Sequence, residues 1–154
     1  RLLLLLAGPL GRLWRLRTGR RNRAQRCLRL TGFEFEEYMA QVLRDNGFRH
    51  VEVTVECGDQ GVDILAVRGG KTYAIQCKNY AGAVGNAAVQ EAYAGAEYYG
   101  CDVPAVVCPT MFTASARELA ESTGVELWDG ERLSHMMRVS GRRPHHDPRR
   151  DDEL

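Results

Sequence analysis

Two apolar runs joined by Arg68-Gly69-Gly70-Lys71 constrain this chain more than any other feature. A pair of glycines accepts positive φ at both central positions, which the tightest connection between antiparallel strands requires. The pattern predicts a β-hairpin with strands over 62–67 and 72–78. Side chains two apart on a strand share a face, so Gln76 and Lys78 point one way and Cys77 the other, toward core. Asp63 opens the first strand. The spacing G-V-D, twelve residues, Q-C-K thus gathers a carboxylate, an amide oxygen and an ammonium at one end of a small sheet.

The elements around the hairpin can be read in the same way. Thr31-Gly-Phe-Glu34 is a capping-box pattern, in which hydroxyl and carboxylate satisfy free N–H groups at a helix start. Phe35, Tyr38, Met39, Val42 and Leu43 follow at helical spacing, and Gly47 closes the helix. Phe48 to Glu56 alternates, with Val51, Val53 and Val55 on one side. Gly58 to Gly61 is a loop before the hairpin. Asn86 to Tyr99 predicts a helix rich in alanine and glycine, able to pack closely on a sheet. Ala105–Cys108, introduced by Pro104, and Val125–Trp128 predict short strands. Thr113 caps a helix reaching about Ser122, and Glu131–Met137 adds a helical turn or two. The order is α-β-β-β-α-β-α-β. It predicts an α/β fold, a central mixed sheet flanked by helices, in one domain over 31–137.

Charge divides the chain unevenly. Residues 1–30 hold nine arginines and no acid, leaving 12 basic and 20 acidic groups elsewhere, about −8 net. An acidic domain argues against a broad basic face for nucleic acid. The first residue is Arg1, which predicts a longer product upstream. Leu2–Leu6 and the following residues are apolar but shorter than the ~20 residues of a membrane span. With Trp14 and the arginines after it, they resemble the cytoplasmic end of a truncated membrane anchor; a soluble basic arm is the other reading. Segment 138–154 is almost without apolar residues and is expected to be disordered, with His145 and His146 incidental surface residues in it. Cys27, Cys57, Cys77, Cys101 and Cys108 include no C-x-x-C pair, which disfavours a cysteine zinc site or a disulfide framework and favours reduced thiols.

The hairpin residues suit a divalent metal and a phosphate ester. Magnesium prefers oxygen ligands and keeps several waters. Asp63 offers an anionic ligand, Gln76 its side-chain oxygen, and the Cys77 carbonyl lies beside them. Lys78 has no lone pair to give. Its place is to orient the attacking water or offset charge developing on the phosphate, and no chain neighbour supplies a carboxylate to neutralise it. A plainer reading makes Asp63 a strand cap and Gln76 and Lys78 solvent-facing edge residues.

The surroundings favour the first reading. Gly58-Asp59-Gln60-Gly61-Val62-Asp63-Ile64-Leu65-Ala66, followed by Ala74-Ile75-Gln76-Cys77-Lys78-Asn79-Tyr80, resembles the Mrr-like restriction endonucleases of the PD-(D/E)xK superfamily. In that branch glutamine commonly replaces the second acidic ligand. The resemblance continues through Phe35-Glu36, Val84-Gly85, Ala88-Val89-Gln90-Glu91, Phe112-Thr113 and Leu127-Trp128-Asp129-Gly130, covering roughly 31–135. It implies a restriction-endonuclease-like α-β-β-β-α-β core. It also implies a metal-dependent DNA endonuclease with Asp63, Gln76 and Lys78 as the active centre and Mg2+, or Mn2+ in its place, as cofactor. It suggests Glu36 as an accessory acid, although a first-turn acid also favours the helix dipole. Gln60 and Gln90 are candidate substrate-facing residues, and Asp59 a loop-shaping one. Cutting both strands needs two centres, which suggests a homodimer. The alternative is a membrane-tethered nucleic-acid-binding module that kept the fold and lost turnover, suggested by the acidic domain and the missing second carboxylate.

Overall fold

A computed structural model describes residues 23–54 and 60–149. Helix α1 spans Gly32–Asp45 and begins with the predicted capping box, Thr31 Oγ1 accepting from Glu34 N and Glu34 Oε2 from Thr31 N. Strand β1, Arg49–Val53, pairs antiparallel with β2, Ile64–Arg68. A bulge between Arg49 and Glu52 sets the register, with His50 at φ 51°. β2 turns directly into β3, Lys71–Cys77, with Ile64 opposite Ile75 and Arg68 opposite Lys71. Gly69 and Gly70 take φ of 57° and 75°, the double positive φ expected of a tight hairpin.

Helix α2, Asn86–Tyr99, carries the chain to β4, Val103–Val107, and helix α3, Ala114–Thr123, carries it to β5, Glu126–Trp128. Both crossovers give parallel pairs, so the sheet is mixed, in the order β1-β2-β3-β4-β5. β3 is therefore the middle strand. β4 starts earlier than expected and takes in Pro104, close to its first residue, where a missing N–H disrupts the ladder least. Helix α4, Gly130–Ser140, extends past both predicted ends.

Period-two alternation sends each strand's residues into two cores. Phe35, Met39 and Leu43 of α1 and Leu133 and Met137 of α4 pack with Ile64, Ile75, Ala105, Val107 and Trp128. On the other face, Val89 and Ala92 of α2 and Ala116 and Ala120 of α3 pack with Val106 and Val125. The first core also takes in Ala24, Cys27 and Leu30, in and beside a 3-10 turn at Arg26–Arg29. The folded unit thus reaches upstream of Thr31. Three apolar residues at spacing three were hidden in the sequence by the arginines between them. Of the segment 1–30 expected to be an anchor and basic arm, residues 1–22 lie outside the described residues. Among the described residues no helix is long and apolar enough to cross a membrane. Cys57 also lies outside them, and Cys27, Cys77, Cys101 and Cys108 are free thiols.

Of the segment expected to be disordered, residues 138–140 belong to α4, residues 141–149 include specific contacts to α1, and residues 150–154 lie outside the described residues. Arg142 pairs with Asp45 at 2.5 Å, and Tyr38 Oη donates to the Arg142 carbonyl. His146 Nδ1 lies 2.9 Å from Glu34 Oε2, and Asp147 N donates to Glu34 Oε1. Polar bonds to α1 do here what apolar burial does elsewhere.

The small-residue character of α2 has a definite use. A Cβ on Gly95 would stand 2.4 Å from Val62 Cγ2 and 2.8 Å from the Gln60 carbonyl oxygen, so the helix presses onto the entry to β2. Gly95→Ala gains about 1 kcal/mol of helix propensity but meets a backbone oxygen that cannot step aside, an overpacking cost of about 1–3 kcal/mol. Urea unfolding is expected to show a net loss of up to about 2 kcal/mol. A raised midpoint would mean that the helix has room to retreat.

Candidate active site

Asp63 sits at the β1–β2–β3 junction, where its own N–H donates to Ile75 O and its carbonyl accepts from Thr54 N. Its side chain is buried and its Oδ2 accepts from Gln76 Nε2 at 2.9 Å and from Cys77 N at 2.6 Å. The hairpin thus folds its own acid back onto the end of β3. Gln76 is 6% exposed and lies on the middle strand, so the plainer reading of solvent-facing edge residues does not hold.

The amide oxygen of Gln76 is the feature that asks for an explanation. Oε1 is buried and has no hydrogen-bond partner. Leaving such a group unsatisfied costs about 1–3 kcal/mol, and a cation or a water would remove that cost. The nearby 2.9 Å separation of the amide from Asp63 Oδ2 equals the spacing of two neighbouring oxygens on an octahedron with magnesium bonds of about 2.1 Å. A turned-over amide beside this carboxylate therefore fits a small, hard cation. Among the described residues no three His, Cys, Asp or Glu side chains gather around one point. A cation here would rest on one carboxylate, the amide and backbone oxygens.

Lys78 leaves β3 beside β4, its N–H donating to Val107 O. Its side chain is only 16% exposed and its Nζ lies 2.8 Å from Glu91 Oε2 on α2. Burial pulls the ammonium's pKa down, but the Glu91 hydrogen bond and charge, with Tyr80 and Asp63 behind them, outweigh it and hold the pKa above the ordinary lysine value. Lys78 is a standing cation and not a base at neutral pH. No chain neighbour supplies a neutralising carboxylate; a residue distant in sequence does. Glu91 lies thirteen residues on, and the β3–α2 connection brings it back over the strand end. Gly61 assists, since a Cβ there would come within 3.1 Å of Glu91. Glu91 was visible in the sequence as a carboxylate early in the next helix, but its direction depends on how the helix is seated.

Cys77 packs on the α1 side, opposite Gln76 and Lys78. Burial, then the charges of Asp63 and Glu36, push its thiol well above the ordinary value. Glu36 is thus within electrostatic reach of the hairpin end. It is half-buried on α1 while Glu37 is exposed, so of that pair Glu36 is the one turned inward. Glu34 is occupied otherwise. Burial would raise its carboxyl, but hydrogen bonds from His146 and the Thr31 and Asp147 N–H groups lower it to about 2. His146 is accordingly an anchor for the C-terminal segment. Gln60 and Gln90 are exposed, Gln60 with φ 50° and Gln90 beside Glu91. Asp59 lies outside the described residues.

Asn79 was not singled out as a site residue. Its Nδ2 donates to Cys27 O and Leu30 O, both at 2.9 Å. The residue after Lys78 therefore ties the upstream turn to the site.

A five-stranded mixed sheet with this hairpin at its centre and helices on both faces is a restriction-endonuclease-like α/β domain. The family model described as restriction endonuclease, Mrr_cat, matches residues 27–137, and the chain belongs to that family. Among solved structures it is similar to a protein of unknown function, AF1548, at TM-score 0.62 and 23% identity, over 72% of this chain and 67% of that one. It is also similar to the DNA modification-dependent restriction endonuclease AspBHI, at TM-score 0.61 and 17% identity, over 80% of this chain and 36% of that one. This chain thus spans about a third of AspBHI, and the likeness concerns the fold. Comparison with curated proteins gives no match.

Proposed function

We propose that this domain hydrolyses DNA phosphodiester bonds at a centre formed by Asp63, Gln76 and Lys78, with Mg2+, or Mn2+ in its place, as cofactor. Restriction endonucleases generally use divalent metal ions, and the observation that carries the reading here is the buried Gln76 amide, whose nitrogen lies 2.9 Å from the Asp63 carboxylate and whose oxygen has no hydrogen-bond partner. Asp63, Gln76 and the Cys77 carbonyl would hold the ion. When bound, it supplies charge neutralisation at the phosphate and a more acidic water.

The chain's own residues do the rest. Lys78, kept charged by Glu91, offsets the negative charge that builds on the phosphate oxygens. The Cys77 N–H fixes the Asp63 carboxylate so that no reorganisation is needed at the moment of reaction. Glu36 approaches from α1 and holds a water or the Lys78 ammonium in line. Gln60 and Gln90 stand at the rim, where a substrate strand passes. Cleaving both strands calls for two such centres, supplied by a pair of domains.

The test is duplex cleavage at fixed enzyme with magnesium, with manganese and with EDTA. Products are expected with either metal and none with EDTA. Equal cutting in EDTA would remove the ion from the mechanism. Tight DNA binding without products under any metal would favour the inactive binding module.

A further inference from the structure

We infer that the arginine-lined hollow between the upstream turn and the segment after α4 is a phosphate-binding subsite that receives the nucleic-acid backbone beside the cleavage centre. The hollow has a volume of about 260 Å³, and Arg23, Arg26, Arg142 and Arg143 line it over Met137. A water's share of liquid volume is about 30 Å³, so there is room for a phosphate group with part of its sugar. Among the described residues, Arg142 is the one of the four with a salt bridge, to Asp45. Arg23, Arg26 and Arg143 thus line a common space and are in no salt bridge among the described residues. Their forked donors match phosphate oxygens in pairs.

The arginines stand on a built platform. Ala24, Cys27 and Leu30 are buried in the first core, and Ala24 N donates to Ser134 Oγ at 3.1 Å. Asn79 grips the carbonyls of Cys27 and Leu30, and Asn79 directly follows Lys78. From Arg26 to Leu30 a 3-10 turn advances about 8 Å, at roughly 2 Å per residue. Phosphates follow one another every 3.4 Å or so along one strand's axis. A strand that follows this turn from the Asn79 end toward Arg26 would cover that length in a few phosphates. This location also answers the charge problem, since the rest of the domain is acidic. The basic surface is supplied by the upstream turn and by Arg142 and Arg143 after α4.

That the occupant is nucleic acid rests on the proposed function, so the experiment separates binding from cutting. Duplex affinity of the full chain is measured in EDTA across a salt series, for the parent, for Arg26→Ala with Arg143→Ala, and for the corresponding double lysine variant. Both side chains are exposed and in no salt bridge among the described residues, so thermal melting should match the parent. The alanine variant is expected to bind about tenfold more weakly at moderate salt, with the log–log salt slope reduced by nearly two, at about 0.9 per phosphate contact. The lysine variant should keep most of the slope. An alanine variant with the parent's affinity and slope overturns the inference. So does arginine-dependent binding to phosphatidylserine vesicles that exceeds duplex binding at the same salt. A parent that binds duplex with this dependence but never cuts it with magnesium leaves the subsite standing and removes the nuclease reading. A parent that binds no DNA removes both.

Discussion

Asp63→Asn is expected to lower duplex cleavage by at least about a thousandfold, a rise of roughly 4 kcal/mol in the barrier. The substitution keeps the side chain's shape and one acceptor oxygen. That oxygen can still take the bonds that Gln76 Nε2 and Cys77 N now give to Oδ2, so the hairpin should remain folded. The centre loses the one carboxylate that the hairpin itself contributes, and with it the anionic hold on a cation. Lys78→Ala should produce a comparable loss by a separate route, the missing charge at the phosphate. Its partner Glu91 is 45% exposed, so removing the lysine leaves no buried, unpaired acid. The check is single-turnover cleavage of a labelled duplex at saturating protein, with circular dichroism to verify the fold. An Asp63→Asn protein that cuts at the parental rate would place the chemistry elsewhere.

Trp128→Ala is expected to cost about 3–5 kcal/mol, a large part of the roughly 5–15 kcal/mol that holds an ordinary domain together. Trp128 ends β5 with no exposed surface. Its ring centroid lies 5.9 Å from Phe48 and 6.3 Å from Tyr73, and its Nε1 donates to Glu126 at 2.8 Å. Truncation would open a cavity between the α1 end, the hairpin and α4, which the rigid sheet cannot close. Trp128→Phe keeps most of the volume and should lose less. Urea unfolding monitored by circular dichroism reads both. A midpoint for Trp128→Ala close to the parent's would show that the neighbouring rings collapse into the space.

The sequence made the hairpin legible because its signals are local. Gly69-Gly70 specify the turn, and the strand period places Gln76 and Lys78 on one side whatever surrounds them. The capping box at Thr31 and Glu34 is equally local, since both partners lie within one helical turn. What the sequence could not show depends on the rotation of one element against another. Lys78 meets Glu91 because α2 is seated against Gln60–Val62 through Gly61 and Gly95, a contact that no run of residues announces. Glu34 was legible as a cap but not as the anchor for His146, which is 112 residues away. The turn before Thr31 was missed for another reason. Ala24, Cys27 and Leu30 form a short apolar stripe, and charge dominated the composition around it.

The grip of Asn79 on the upstream turn bears on how such a domain is combined with others. Arg23 on one side and Arg143 on the other border the same hollow, so the turn before α1 and the start of the segment after α4 lie on one flank of the domain. A reader module spliced upstream of the turn or downstream of α4 would hang on the same flank of the cutter. From either position its geometry would measure the distance between the base it reads and the bond that is cut.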